Sequence, residues 1–149
     1  MLKAERTGHV VLNVRDVEVS TNFYVDVLGF VKTLEIPGRG TFLSCGTMHH
    51  DLAVFKAEED AGPVAHGDLG MQHVAFQVES YEMLTKFYHR LKELGLVERT
   101  VDHTITKSVY FSDPDGIRLE LYCNSFEDDV EGLAMIGSDQ RVDKELIIS

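Results

Sequence analysis

The 149-residue sequence lacks several features that would point to common classes of protein. It has only two cysteines, Cys45 and Cys123, in strand-like segments without the spacing of a metal or redox motif. We expect both to be reduced, buried packing residues, as in a cytoplasmic protein. Lys and Arg number 14 against 25 Asp and Glu, which gives a formal net charge of −11. Without a basic patch to neutralise phosphates, the chain is not expected to bind nucleic acid or anionic membranes.

Long apolar runs are also missing. No segment approaches the roughly 18 consecutive apolar residues of a membrane span, and residues 1–6 lack the apolar stretch of a signal peptide. We therefore expect a cytoplasmic protein with no membrane partner. Hydrophobic residues make up 44% of the chain, which is enough for the core of one domain.

What the sequence does contain is an internal repeat. His9–Val14 returns 64 residues later as His73–Val78, and Phe23-Tyr24 returns at the same offset as Phe87-Tyr88. A unit that cannot bury its apolar face alone must pack on its twin. The histidines that open the two copies then fall near a pseudo-twofold axis, which is a usual place for a metal.

Each copy is predicted to form a strand, a helix and three further strands. In the opening strand large apolar residues alternate with a histidine, a small residue and an amide, as expected when a helix covers one face and the other lines a wet cleft. We predict an α+β fold: two tandem βαβββ modules forming a curved, partly open eight-stranded sheet around a metal cleft, with the helices outside. The strands after the helices are predicted at 31–36, 41–45 and 51–56, and at 96–102, 108–112 and 117–123.

The repeat also predicts the domain organisation. A single domain covers residues 1–123, with module 1 at about 8–57 and module 2 at about 70–123. The linker between them, about 58–69, contains two Gly and one Pro. Residues 124–149 are acidic and poorly periodic, and we expect a tail whose apolar end docks on the domain or caps it.

A candidate metal site follows from comparing the two copies. Near their ends the offset is 67, so that Glu120 corresponds to Ala53. Glu120 lies between two leucines, where a carboxylate is costly to bury without a partner. Taken alone it could be a surface charge, and a lone strand histidine is usually an ordinary polar residue. Together, His9, His73 and Glu120 are predicted to be a 2-His-1-carboxylate ligand set, which holds Fe(II) and leaves the opposite positions open.

Several motifs between residues 8 and 123 resemble one known family. They are Gly8-His9-Val10, Phe23-Tyr24, Leu28-Gly29-Phe30, Gln72-His73-Val74-Ala75-Phe76, and the segment 110–122 with its turn Asp113-Pro114-Asp115-Gly116. With them the chain resembles the vicinal oxygen chelate superfamily, which includes glyoxalase I, bleomycin-resistance proteins, fosfomycin-resistance enzymes and type I extradiol dioxygenases. Because this fold hosts many reactions, the motifs do not choose one.

Three further features are similar to those of one-domain type I extradiol dioxygenases. His50, in His49-His50-Asp51-Leu52-Ala53, matches a histidine on the O₂ side of the iron. Tyr110 matches a tyrosine that hydrogen-bonds the substrate hydroxylate. His103 matches a further histidine near the substrate, with a spacing to Tyr110 about two residues shorter than in two-domain enzymes. The resemblance thus implies His50, Tyr110 and His103 as catalytic residues.

The function implied by this resemblance is an Fe(II)-dependent extradiol ring-cleaving dioxygenase. Its partners would be a small aromatic diol, O₂ and further copies of the chain in a dimer or higher homo-oligomer, and Mn(II) or another divalent metal could replace iron. His50 would be the acid/base, while Tyr110 and His103 would orient the diol and help to deprotonate it.

Two alternatives stay open. One is another metal-dependent enzyme of the superfamily: a fosfomycin-type thiol transferase, a lyase or an isomerase. The other is a metal-free drug-binding resistance module. The absence of Trp counts against the thiol transferase, and an intact ligand set counts against the metal-free module.

Overall fold

The computed structural model describes residues 2–136 and 143–148, and the chain divides into two compact units, Met1–Val64 and Ala65–Ser149. Each unit contains a strand, a helix and three further strands in that order, which confirms the predicted α+β class and the two βαβββ modules. No helix in the described part of the chain is long and apolar enough to cross a membrane.

The first unit is a four-stranded sheet with one helix. Its elements are β1 (Val10–Val14), α1 (Val17–Asp26), β2 (Val31–Ile36), β3 (Gly40–Ser44) and β4 (Leu52–Lys56). The strand order is β1-β4-β3-β2, with β1 parallel to β4 and the other pairs antiparallel. Asp16 caps α1, because its Oδ1 accepts the backbone N–H groups of Glu18 and Val19 at 2.9 and 3.1 Å.

The second unit repeats this plan and extends it. Its elements are β5 (Val74–Gln77), α2 (Tyr81–Glu93), β6 (Arg99–Asp102), β7 (Thr106–Ser112), β8 (Arg118–Asn124), α3 (Asp129–Ile136) and β9 (Lys144–Glu145). The strand order is β5-β8-β7-β6-β9. The ninth strand corrects the predicted count of eight: part of the predicted tail forms α3 and β9, while residues 137–142 of that tail lie outside the described residues.

The parallel pairing of first and last strands is the same in both units. Val11 lies across from Ala53 in the first unit, and Ala75 lies across from Glu120 in the second. This register confirms the offset that related Glu120 to Ala53. Both opening histidines were predicted to lie within strands, but β1 and β5 each begin one residue after them. At the very end of an element such a shift is ordinary.

The core of the second unit lies between its sheet and α2. Helix α2 packs on β7 and β8, and the apolar residues buried in these three elements include Leu84, Leu91, Val109, Phe111 and Leu119. Since side chains alternate along a strand, the residues between these apolar ones face the opposite side of the sheet. That opposite face carries the predicted site residues of β7 and β8.

Gly40, the first residue of β3, provides a test of the packing in the first unit. A Cβ at this position would lie 2.7 Å from the backbone oxygen of Val54 and 2.7 Å from the ring of Phe55, and the backbone oxygen cannot easily move. We expect Gly40→Ala to lower the free energy of unfolding by about 1–3 kcal/mol, measured by urea denaturation. The matched control is Gly62→Ala, where a Cβ would meet nothing within 4 Å. The control should shift stability by less than about 0.5 kcal/mol, and equal midpoints for both variants would contradict the expectation.

Candidate metal and substrate site

Two of the three predicted metal ligands are paired in the second unit. The Nε2 atom of His73 lies 2.9 Å from Oε2 of Glu120, whose residue is only 7% exposed. The pair forms because β5 and β8 are adjacent and parallel, so that the residue before β5 meets the middle of β8. Two donor atoms that bind one metal at about 2.1 Å and at a right angle are about 3 Å apart. The observed separation therefore fits two neighbouring ligands of a single metal ion.

Tyr110 and His103 lie beside this pair. Tyr110 is directly across from Glu120 on β7, and its ring is 5.7 Å from that of His73 in an edge-on arrangement. The hydroxyl of Tyr110 is 2.9 Å from Nε2 of His103, and Nδ1 of His103 is 2.8 Å from Oδ1 of Asp143. Two residues that were predicted to be catalytic are thus in contact, and an acidic residue lies behind them.

The surroundings of Tyr110 keep its hydroxyl protonated. Burial in the first place, and then the charge of Glu120 and a hydrogen bond to it, raise the pKa of Tyr110 to about 12. The guanidinium of Arg99, 4.2 Å from the centre of the ring, opposes this effect. At neutral pH Tyr110 is a phenol that can both donate and accept a hydrogen bond.

The other two predicted site residues, His9 and His50, lie together in the first unit. Their ring centres are 4.4 Å apart, and His50 also contacts His49 through the two Nδ1 atoms. Phe42 packs edge-on against His50, with ring centres 5.0 Å apart. The pKa of His50 is lowered, first by loss of hydration and then by the proximity of His49 and His9, which favours a neutral imidazole.

The loop before β4 carries His49 and His50. Oδ2 of Asp51 accepts the backbone N–H of Cys45 at 2.7 Å, and the hydroxyl of Ser44 donates to the carbonyl of Met48 at 2.6 Å. The prediction that both cysteines are buried is wrong for Cys45, which is exposed, while Cys123 is buried. Cys45 follows β3 in this loop, where side chains are no longer held in the sheet.

The structure thus places the six predicted residues in two clusters. His73, Glu120, Tyr110 and His103 lie in the second unit, and His9 and His50 lie in the first. Within residues 2–136 and 143–148 no three His, Cys, Asp or Glu side chains are gathered as a metal site. The observed contact joins two of the three predicted ligands, His73 and Glu120.

A cavity of about 610 Å³ in the second unit opens beside Glu120. Its apolar wall comes from α3 and the loop before it, through Phe126, Leu133 and Ile136. Leu133 and Ile136 are 73% and 57% exposed, which is unusual for large apolar side chains of one helix. Sequence reasoning missed this wall and the position of Asp143, because the segment after Asn124 shows no clear periodicity.

Comparison with known proteins identifies the family. The model of the glyoxalase/bleomycin resistance protein/dioxygenase superfamily matches residues 6–121. The chain belongs to this superfamily. The resemblance that the histidine and glutamate motifs predicted is thereby confirmed.

Relatives within the superfamily have different activities. Biphenyl-2,3-diol 1,2-dioxygenase 3 of Rhodococcus globerulus is 32% identical over 134 residues, 85% of this chain and 67% of that protein. Metallothiol transferase FosB of Staphylococcus saprophyticus is 32% identical over 124 residues, 81% of this chain and 78% of that protein. The crystal structure of lactoylglutathione lyase from Agrobacterium tumefaciens superposes with a TM-score of 0.65 at 27% identity, over 84% of this chain and all of that one. Family membership therefore leaves the reaction open.

The thiol of Cys45 offers a test of the loop that carries His49 and His50. Partial burial, followed by the charge of Asp51 and a hydrogen bond to it, raises the pKa of Cys45 to about 11. A raised thiol pKa means less thiolate at pH 8, so we expect iodoacetamide to alkylate Cys45 about 100-fold more slowly than an ordinary cysteine. Asp51→Asn removes the charge and should speed the reaction, as followed by mass spectrometry of the Cys45 peptide across pH 7–11. In urea both proteins should react alike, and equal rates in the folded proteins would show that Asp51 does not act on this thiol.

Proposed function

We propose that the chain is an Fe(II)-dependent extradiol ring-cleaving dioxygenase that acts on a catecholic aromatic. The observation that carries this proposal is the Tyr110 hydroxyl, backed by His103, beside the pair that His73 forms with the buried Glu120. A pair of metal ligands alone would suit many enzymes of this superfamily. A tyrosine and a histidine next to it are groups that can orient a diol and take up its proton.

The ligands that would hold the metal are His73, Glu120 and, as the internal repeat predicts, His9. Such a set of three ligands would leave the metal accessible to a substrate. When bound, Fe(II) would supply Lewis acidity toward the diol and a route for electrons to O₂. Mn(II) or another divalent ion would fit the same nitrogen and oxygen donors.

The protein's own side chains would then handle the diol and its protons. The Tyr110 oxygen accepts a hydrogen bond from a substrate hydroxyl, and His103 is in contact to receive the proton that Tyr110 passes on. His50, the predicted acid/base on the O₂ side, is favoured as a neutral imidazole that can accept a proton and return it. The apolar wall of Phe126, Leu133 and Ile136 would exclude water and pack on the ring.

The overall reaction needs no further reductant. The ring C–C bond beside the diol breaks, and both atoms of O₂ enter the product, one on each of the two carbons. O₂ is reduced by the four electrons that the aromatic diol loses. The product is a muconic semialdehyde type of compound, so the enzyme would act in the breakdown of aromatic compounds, as a dimer or higher homo-oligomer.

Metal binding can be tested separately from catalysis. Because a ligand that binds only the folded state stabilises it, Mn(II) at about 100 times its Kd should add about 2.7 kcal/mol and raise the Tm of the wild-type protein. We expect His73→Ala and Glu120→Gln to lose this rise, measured by differential scanning calorimetry with and without Mn(II). His89→Ala, at an exposed position of α2, is the matched control and should keep it. A rise that persists in both ligand variants would place the metal elsewhere.

The activity is tested by anaerobic reconstitution with Fe(II), followed by catechol, methylcatechol or 2,3-dihydroxybiphenyl in air. We expect the yellow absorbance of a ring-fission product, which His73→Ala abolishes. His50→Ala should lower kcat by about 10²–10⁴-fold, the usual contribution of an acid/base group. His66→Ala, in an exposed loop, should leave the rate unchanged.

The other outcomes choose between the remaining functions. Stoichiometric metal without ring cleavage would overturn the dioxygenase in favour of a thiol transferase, lyase or isomerase, which fosfomycin with a thiol and hemithioacetal substrates would test. A protein that binds no metal would leave the drug-binding resistance module.

A further inference from the structure

The segment after the second module brings a carboxylate to a predicted catalytic histidine. Oδ1 of Asp143 lies 2.8 Å from Nδ1 of His103, and Nε2 of that ring lies 2.9 Å from the Tyr110 hydroxyl. We infer that Asp143 is a positioning residue: it holds His103 in the Nδ1–H tautomer and so aims the free Nε2 at Tyr110. This inference rests on the proposed function for its catalytic meaning, while its structural part can be tested without activity.

Strand β9 fixes where Asp143 lies. In the antiparallel pairing of β9 with β6, Lys144 is across from Asp102 and Glu145 is across from Val101. One step further along the same register places Asp143 across from His103. The contact therefore follows from main-chain pairing rather than from a chance meeting of two surface side chains.

The end of the chain anchors this strand. The hydroxyl of Thr100 donates to the carbonyl of Leu146 at 2.6 Å, and the Leu146 N–H points back to the carbonyl of Thr100 at 3.4 Å. The side chains of Leu146 and Ile148 are buried, at 8% and 9% exposure. Burial of these two aliphatic side chains favours the docked position of the chain end.

The turn that carries His103 is itself fixed. The His103 N–H donates to the carbonyl of Thr106 at 2.8 Å, and the Thr104 N–H donates to Oδ1 of Asp102 at 2.8 Å. Thr104 has φ 72°, in the left-handed region that a β-branched residue rarely adopts. A strained backbone conformation of this kind persists only where surrounding interactions hold it in place, and such residues are often found at functional sites. His103 is thus held by its own turn and by Asp143.

The tautomer follows from the hydrogen-bonding groups. A carboxylate has no proton to donate, so Nδ1 of His103 must be the donor to Asp143. In the neutral ring Nε2 is then an acceptor, and the single proton of the Tyr110 hydroxyl, which can go to either Glu120 or His103, is donated to Nε2. The oxygen lone pairs of Tyr110 stay available to accept a hydrogen bond from a substrate hydroxyl.

Without Asp143 the other tautomer becomes favourable. An Nε2–H would donate to the Tyr110 oxygen, and the Tyr110 proton would turn to Glu120. That arrangement uses a lone pair of Tyr110 that the diol needs and blocks proton transfer to His103. Asp143 therefore selects the arrangement in which Tyr110 can accept from the substrate and donate to the histidine.

The structural part is tested by NMR on the metal-free protein. Long-range ¹H–¹⁵N correlation spectra report which ring nitrogen carries the proton, and His103→Gln assigns the signal among the seven histidines. At pH 8, where an ordinary imidazole is neutral, we expect His103 to be protonated on Nδ1 in the wild type. Asp143→Asn and Asp143→Ala should move the proton to Nε2, because an amide can flip to donate and alanine offers no acceptor. Glu145→Gln, which removes the same charge from β9, should leave the spectrum unchanged.

The catalytic part is tested with the Fe(II)-loaded protein. Asp143 is 55% exposed, so its hold on the ring is weaker than that of a buried carboxylate, and we expect Asp143→Asn to lower kcat about 10-fold. KM should change less than about 2-fold, since the proton path and not diol binding is altered. Glu145→Gln should match the wild type in both constants.

The results distinguish the tautomer of His103, the role of Asp143 in catalysis and the proposed function. An Nε2–H tautomer in the wild type, or a His103 signal that is the same in both Asp143 variants, would overturn the inference whatever the activity. If the tautomer shifts in the Asp143 variants while kcat stays unchanged, Asp143 has no role in catalysis, and the inference is overturned as well. A wild-type protein without ring-cleaving activity but with the expected tautomers would instead refute the proposed function and leave Asp143 as the residue that orients His103.

Discussion

The register between β5 and β8 is the constraint on which the candidate site depends. It sets Glu120 across from Ala75 and within 2.9 Å of His73, while the leucines on either side of Glu120 are buried on the opposite face of the sheet. Because side chains alternate along a strand, a slip of one residue would turn the carboxylate into the apolar layer and expose a leucine to the site. The apolar face of the sheet beneath α2 therefore fixes the position of Glu120. No residue of α2 has to contact Glu120 itself for this.

The same register in the first unit shows how two copies of one scaffold came to differ in chemistry. There Phe42 lies across from Ala53, where the second unit has Tyr110 across from Glu120. The apolar pair packs a sheet, whereas the phenol–carboxylate pair belongs to the site that we propose for a metal and a diol. Relatives named as a dioxygenase, a transferase and a lyase are similar to this chain across most of its length. The fold alone therefore does not decide the reaction.

The sequence predicted the duplicated part of the structure well, because a repeat is a long-range signal that local irregularity does not erase. The offset of 67 placed Glu120 opposite the correct strand, and the contact of Tyr110 with His103 agrees with their predicted shared role. What it missed lies outside the repeat. Strand β9 has two residues, too few for any periodicity, and its pairing is decided by the docking of Leu146. The hydrogen bond of Asp143 leaves no pattern in the sequence, since it joins residues 40 positions apart.

The division between repeated and non-repeated parts of the chain therefore has a functional meaning. The repeated strands of the second unit supply the His73–Glu120 pair, which many enzymes of the superfamily could use, and Tyr110 beside it. The segment after β8 supplies the apolar wall of α3 beside the cavity and the carboxylate behind His103. A ligand pair alone gives no preference for a diol; under our proposals that preference comes from the apolar wall beside the ring and from His103 held in one tautomer. Specificity in this protein is then expected to follow changes after Asn124 more closely than changes in the paired strands.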